Sequence, residues 1–180
     1  MTKKRKESPQ SKLSKNLLVH ALLELLNEKP YKQINITELT EKADLSRRTF
    51  YRHFTTIDEV LDFTLEQIYE QFTKYSLEQN ITNLKSTIYV YFSYWEKRKS
   101  FLFTLKENEL LFLLQNKFSP RNHQSENAVI NIKKDVIEYA VWFTSGAIWS
   151  LLIKWLEDDT KYTPNEMATI AEQIVAHLAG

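Results

Sequence analysis

The chain has two glycines, four prolines and no cysteine among its 180 residues. Few glycines and prolines leave little material for tight β-turns or for Gly-rich phosphate loops, which favours helices with brief connections. The absence of cysteine excludes disulfides and thiolate metal sites and fits a reducing compartment such as the cytoplasm. No uninterrupted apolar run comes close to the roughly 18 residues that a membrane-spanning helix needs, so none is expected. The basic N-terminus has no apolar segment behind it, so no secretory signal is expected either. What is present is ordinary for a globular chain: 43% hydrophobic and 26% charged residues.

The net charge of +1 conceals an uneven distribution. Residues 1–55 hold 12 Lys/Arg against 6 Asp/Glu, and residues 56–180 hold 12 against 17. The first part therefore suits a polyanion and the second does not. Residues 1–10 read as a disordered basic tail, with Lys3, Lys4, Arg5 and Lys6 able to reach a DNA backbone. Leu13, Leu17, Leu18, Ala21, Leu22, Leu25 and Leu26 recur at helical spacing and predict a first helix that ends at Lys29-Pro30. Asn35 and Glu38 have the spacing of a capping box, which starts a second helix over Ile36–Ala43. Asp44-Leu45 then reads as a turn and Ser46 as the cap of a third helix.

At about 100° per residue, that third helix sorts its side chains sharply. Phe50 and Phe54 share one side, with Arg48, Thr49 and Arg52 opposite. Arg47 and Tyr51 flank one edge, and Ser46 and His53 the other. Two rings anchor the helix, and hydrogen-bond donors cover the rest of it. A DNA major groove admits one helix and offers guanine N7/O6 and phosphate oxygens as acceptors. Double-stranded DNA is therefore the expected partner.

The stretch I-T-E-L-T-E-K-A-D-L-S-R-R-T-F-Y-R-H-F-T-T-I-D-E-V-L resembles the N-terminal signature of TetR/AcrR-family transcriptional regulators, over about Leu13–Leu61. The resemblance implies an all-α fold of about nine helices. A helix-turn-helix head (residues 11–55) would precede a regulatory and dimerisation domain (56–180). It implies a homodimer on a pseudo-palindromic operator, a repressor released by an unidentified small-molecule or protein effector. DNA contacts carry over to Thr37, Arg47, Arg48, Thr49, Tyr51, Arg52 and His53, with Thr49, Tyr51 and His53 on phosphates and the arginines on bases; Ser46 joins them as the start of the third helix, where backbone N–H groups favour a phosphate. Three positions depart from the family's pattern: Asp44 stands where Gly is usual, Thr40 where Ala is frequent, and Ile57 where a phosphate-gripping Lys is frequent.

Beyond Thr56, whose spacing to Glu59 opens a fourth helix to about Gln79, the pattern stays helical. A fifth helix is expected over Ile81–Lys97, shorter ones over Ser100–Leu105 and Glu109–Phe118, a loop over Ser119–Asn127, a long apolar helix over Ala128–Leu156, and a last helix from Pro164. Gly146 inside the long helix suggests close approach of another backbone. Aromatic residues are 13% of the chain, so an effector pocket lined by Phe92, Trp95, Phe112 and Trp142 is one reading and plain core filling the other. The resemblance implies that the last two helices pair with their copies, and Gly146, Trp149, Ile153, Ile170 and Ile174 are the expected interface. The G-A-I-W-S-L-L-I-K-W-L segment further resembles the dihydroxyacetone-kinase-operon type of family member.

Enzymatic readings find no support in the inventory. His20, His53, His123 and His177 lack metal-ligand spacing, no Gly-rich loop or nucleophile elbow is present, and Asp158-Asp159 reads as a solvated helix end. No enzyme activity, cofactor or metal is expected. The rival function is a protein-interaction coactivator of the same fold that responds to a metabolic enzyme partner.

Overall fold

Ser8 caps the first helix, its hydroxyl accepting from Ser11 N, and Pro9 follows at a position where a missing N–H costs nothing. The computed structural model describes residues 8–119 and 134–179. Among these are nine α-helices, one 3-10 turn and no strand. The chain divides into two compact units, one up to Gln67 and one from Ile68 onward, with the boundary inside the fourth helix.

The first unit contains α1 (Pro9–Glu28), a 3-10 turn (Tyr31–Gln33), α2 (Ile36–Lys42), α3 (Arg47–His53) and the start of α4 (Ile57–Leu77). Its core is made by Leu18, Leu22, Leu25, Leu39, Phe50, Val60, Leu61 and Leu65. Burying each such side chain contributes about 1.5–3 kcal/mol. Leu13 and Leu17 lie outside this core and are exposed. On the helix wheel they fall beyond the arc that carries Ser14, Leu18, Leu22 and Leu25 inward. The first helix also starts two residues inside the stretch read as tail, and residues 1–7 lie outside the described ones. Asn35 and Glu38 form the expected capping box, with Glu38 N donating to Asn35 Oδ1 at 3.1 Å and Asn35 N to Glu38 Oε2 at 3.4 Å.

Scarce glycine shapes the helix ends. After α2, Asp44 takes a left-handed φ of 51°, and Leu45 N closes back onto Thr40 O at 2.9 Å. Glu109 (φ 60°) and Leu110 repeat the device on Leu105 O. Asp159 (φ 53°) and Thr160 (φ 55°) repeat it on Trp155 O. Each is the six-to-one closure that usually employs glycine. Here the Cβ penalty is accepted, and Asp tolerates it better than most residues.

The second unit contains the end of α4, then α5 (Leu84–Glu96), α6 (Lys99–Glu107), α7 (Leu111–Lys117), α8 (Lys134–Glu157) and α9 (Pro164–Ala179). α9 packs along α5, and Lys85 pairs with Glu172 at 2.8 Å across them. Thr163 and Glu166 cap α9 reciprocally, as Thr163 N donates to Glu166 Oε2 at 2.8 Å and Glu166 N to Thr163 Oγ1 at 3.4 Å. Rings dominate this core. Trp95 meets Tyr94 at 5.1 Å and Phe118 at 5.5 Å, and Phe92 meets Trp155 edge-on at 5.3 Å. Tyr94 also donates to Ile68 O, and Arg98 stacks 3.8 Å from its ring centroid.

Element ends differ from expectation by a few residues: α4 stops at Leu77, and α5 starts at Leu84 behind an Asn83 cap. The loop expected after Ser119 and the start of the long helix lie outside the described residues. One helix bears on the expectation that no segment spans a membrane. Val136–Glu157 is a helix long and apolar enough, by length and composition, to cross a membrane. Glu138, Thr144, Ser145, Gly146, Ser150 and Lys154 break it into short apolar runs, so no uninterrupted run reaches the length of a span.

Candidate nucleic-acid interface

The third helix is held by its rings. Phe50 is fully buried and Phe54 nearly so, their centroids 6.2 Å apart, with Phe63 of α4 5.6 Å beyond Phe54. This anchoring turns the opposite side outward. Arg47, Arg48 and Arg52 are exposed, and none pairs with a carboxylate among the described residues. The exposed Thr37 stands on the first turn of α2. Ser46 caps α3 by accepting from Thr49 N at 3.1 Å, and the two hydroxyls lie 3.0 Å apart. Tyr51 is half exposed, its ring braced edge-on against Phe50 at 5.4 Å. Arg52 Nε donates to His53 Nε2 at 3.4 Å, and His53 is half-buried. All eight residues named from the sequence thus sit on α3, its cap or the start of α2. The arrangement offers a row of donors, three of them permanently charged, on one short helix.

At the departures, Thr40 is buried, and its hydroxyl bonds Ile36 O and Thr37 O, both at 2.9 Å. The extra oxygen is therefore satisfied where Ala would carry none. Ile57 opens α4 and lines a groove of about 620 Å3 that also touches Tyr31, Lys32, Thr37, Arg47 and Thr56. Sequence reasoning missed Tyr31, Lys32, Thr55 and Thr56 here. The only signal was a lysine next to the capping box. Glu59 N donates to Thr56 Oγ1 at 3.2 Å, while the Glu59 carboxylate reaches back to Thr55 N. The Tyr31 hydroxyl donates to Asp58 Oδ1. Burial, then the Asp58 carboxylate, push that hydroxyl above its ordinary pKa and keep it a donor.

In the second unit, the four residues named for an effector pocket part company. Phe92 and Trp95 are wholly buried among rings, whereas Phe112 is 56% exposed and Trp142 40%. The rings that meet Phe92 and Trp95 are those of Tyr91, Tyr94, Phe118 and Trp155. Of the residues named for a dimer interface, Gly146 and Ile174 are exposed and Trp149, Ile153 and Ile170 half-buried. The close backbone approach expected at Gly146 is absent within the described chain, because nothing lies within 4 Å of where a Cβ would stand.

A helix held by two aromatic anchors, with arginines outward behind a capped helix and a tight turn, defines a helix-turn-helix DNA-binding head. Residues 18–62 match the family described as bacterial regulatory proteins, tetR family, and residues 82–177 match the one described as transcriptional regulator C-terminal region. The second match spans more than half of the chain, and the chain belongs to the TetR family of transcriptional regulators. A crystal structure of a TetR transcriptional regulator from Streptococcus agalactiae 2603V superposes with a TM-score of 0.64 at 18% identity, covering 92% of this chain and 95% of that one. At that identity the likeness speaks for the fold. No curated protein matches the chain.

Proposed function

We propose that this regulator is a repressor that binds a pseudo-palindromic operator as a homodimer and lets go when an effector binds. The observation that carries the reading is the outward face of α3, where Arg47, Arg48 and Arg52 stand exposed over buried Phe50 and Phe54. The arginines read base edges, and Thr37, Ser46, Thr49, Tyr51 and His53 hold phosphates. Residues 11–55 form the reading head, and residues 56–180 dimerise and sense the effector. No catalysis is part of this reading, and the protein works in the cytoplasm, where its DNA is.

Dimerisation rests on α8 and α9. Tyr139 (76% exposed) and Phe143 (77%) lie on α8 with Trp142, while Ile174, Val175 and Leu178 are exposed on α9. Only 6% of the most apolar stretch of α8 is buried by its own chain. An exposed apolar face of this kind marks an association surface, and a second copy supplies the same face by symmetry. Two heads then meet half-sites about 34–36 Å apart, one turn of DNA.

The test is a gel shift with DNA from around the protein's own gene. Wild type retards the fragment in a salt-dependent way, and Arg47→Ala with Arg48→Ala loses about 1–3 kcal/mol per base-reading arginine. Undiminished binding by the double variant would sink the assignment. Asp44 and Ile57 favour the rival reading, a coactivator acting through a metabolic enzyme. That reading requires no retardation even at low salt.

A further inference from the structure

The groove beside α3 is built from four separate parts of the first unit. Lys32 comes from the 3-10 turn, Thr37 from α2, Arg47 from the start of α3, and Thr55 and Thr56 from the approach to α4. Lys32 and Arg47 have no carboxylate partner among the described residues. Thr56 Oγ1 already accepts from Glu59 N, which leaves its own O–H able to donate. The carboxylate that lines the groove, Asp58, accepts the Tyr31 hydroxyl. The walls therefore present cations and hydroxyl donors, and their negative group is partly screened by a hydrogen bond. A phosphodiester, an acceptor with one negative charge, is the ligand such a surface recognises.

We propose that this groove seats a backbone phosphate of the bound DNA, with Lys32 as the cation that grips it and Tyr31 as the positioning residue whose hydroxyl engages the Asp58 carboxylate in the groove wall. The proposal rests on the DNA-binding reading above. It explains how a head with Ile57 at the mouth of α4 keeps a backbone contact there: the cation is supplied from the 3-10 turn instead. Lys32 sets register and adds affinity without reading sequence.

The test compares full-length wild type, Lys32→Gln, Tyr31→Phe, Tyr31→Phe/Asp58→Asn and Arg47→Ala. Each is titrated onto the fragment from around its own gene and onto a scrambled fragment of equal length, from about 50 to 200 mM salt. Lys32→Gln is expected to weaken both fragments by the same factor. Its log–log salt slope should be shallower by about 0.9 for each phosphate no longer neutralised, or about 1.8 for the two protomers. Tyr31→Phe weakens both fragments, and adding Asp58→Asn restores them. Lys32 is exposed, so its replacement leaves the fold intact. An unchanged slope for Lys32→Gln, or a loss confined to the specific fragment, overturns the groove. If Arg47→Ala still weakens binding in that case, the DNA reading stands without it. If wild type retards neither fragment, both fall together.

Discussion

Helix α3 and helix α8 both leave large parts of themselves uncovered, and they leave opposite things. The seven residues of α3 bury Phe50 and, with the next residue, Phe54, and they expose three arginines. The 24 residues of α8 bury Leu152, Trp155 and Leu156 near one end and expose Tyr139, Trp142 and Phe143 toward the other. Exposed guanidinium groups are at ease in water and find energy in phosphate and guanine. Exposed rings are not at ease, and each recovers energy only by leaving water. One helix is therefore complete without its partner, and the other is incomplete.

The largest effect expected from breaking this contrast is on α8. Tyr139→Glu with Phe143→Glu removes two rings that each contribute about 1.5–3 kcal/mol on burial, so on the order of 3–6 kcal/mol of association is lost. Sedimentation should show a monomer with unchanged helicity, and operator binding should fail with it. A dimer as tight as wild type would detach this face from assembly. Next comes Phe50→Ala in the head. It removes a fully buried ring and should cost about 3–5 kcal/mol in chemical denaturation. Phe143→Ala on α8 should leave monomer stability nearly unchanged. Equal losses at the two rings would erase the difference between the two helices.

Smaller effects sharpen it. Ser46→Ala deletes the cap of α3 and should cost about 1 kcal/mol in thermal stability, with weaker DNA binding as the helix start frays. Asp44→Gly relieves a left-handed Cβ and should stabilise the head by up to about 1 kcal/mol. It also removes a carboxylate from the turn before α3, so DNA affinity should hold or rise. A fall in melting temperature would show that Asp44 does something other than close the helix.

Parts of this molecule were legible from the sequence because their causes are local. The caps at Asn35–Glu38 and Thr56–Glu59 depend on residues three apart. The two sides of α3 follow from one helical wheel, since Phe and Arg differ so sharply in what they seek. The left-handed turn at Asp44 was legible from its place between two short helices. In the second unit the same method failed. Phe92, Trp95, Phe112 and Trp142 read alike as apolar rings, yet two are wholly buried and two exposed. Gly146 read as a point of close approach, yet nothing among the described residues comes within 4 Å of where its Cβ would stand. The groove at Lys32 was invisible, because its walls come from the 3-10 turn, α2, α3 and α4.

The sequence by itself determined that this chain is helical, where the two short helices of its head begin, and which side of α3 is anchored. Those outcomes follow from caps, turns and the contrast between charged and aromatic residues within a few positions of one another. Only the tertiary structure decided which rings of the second unit are core and which face outward, and that Lys32 joins Arg47 at one groove. Burial is set by which helix packs on which, and a groove by elements far apart in the chain, so neither is written in any single stretch of it.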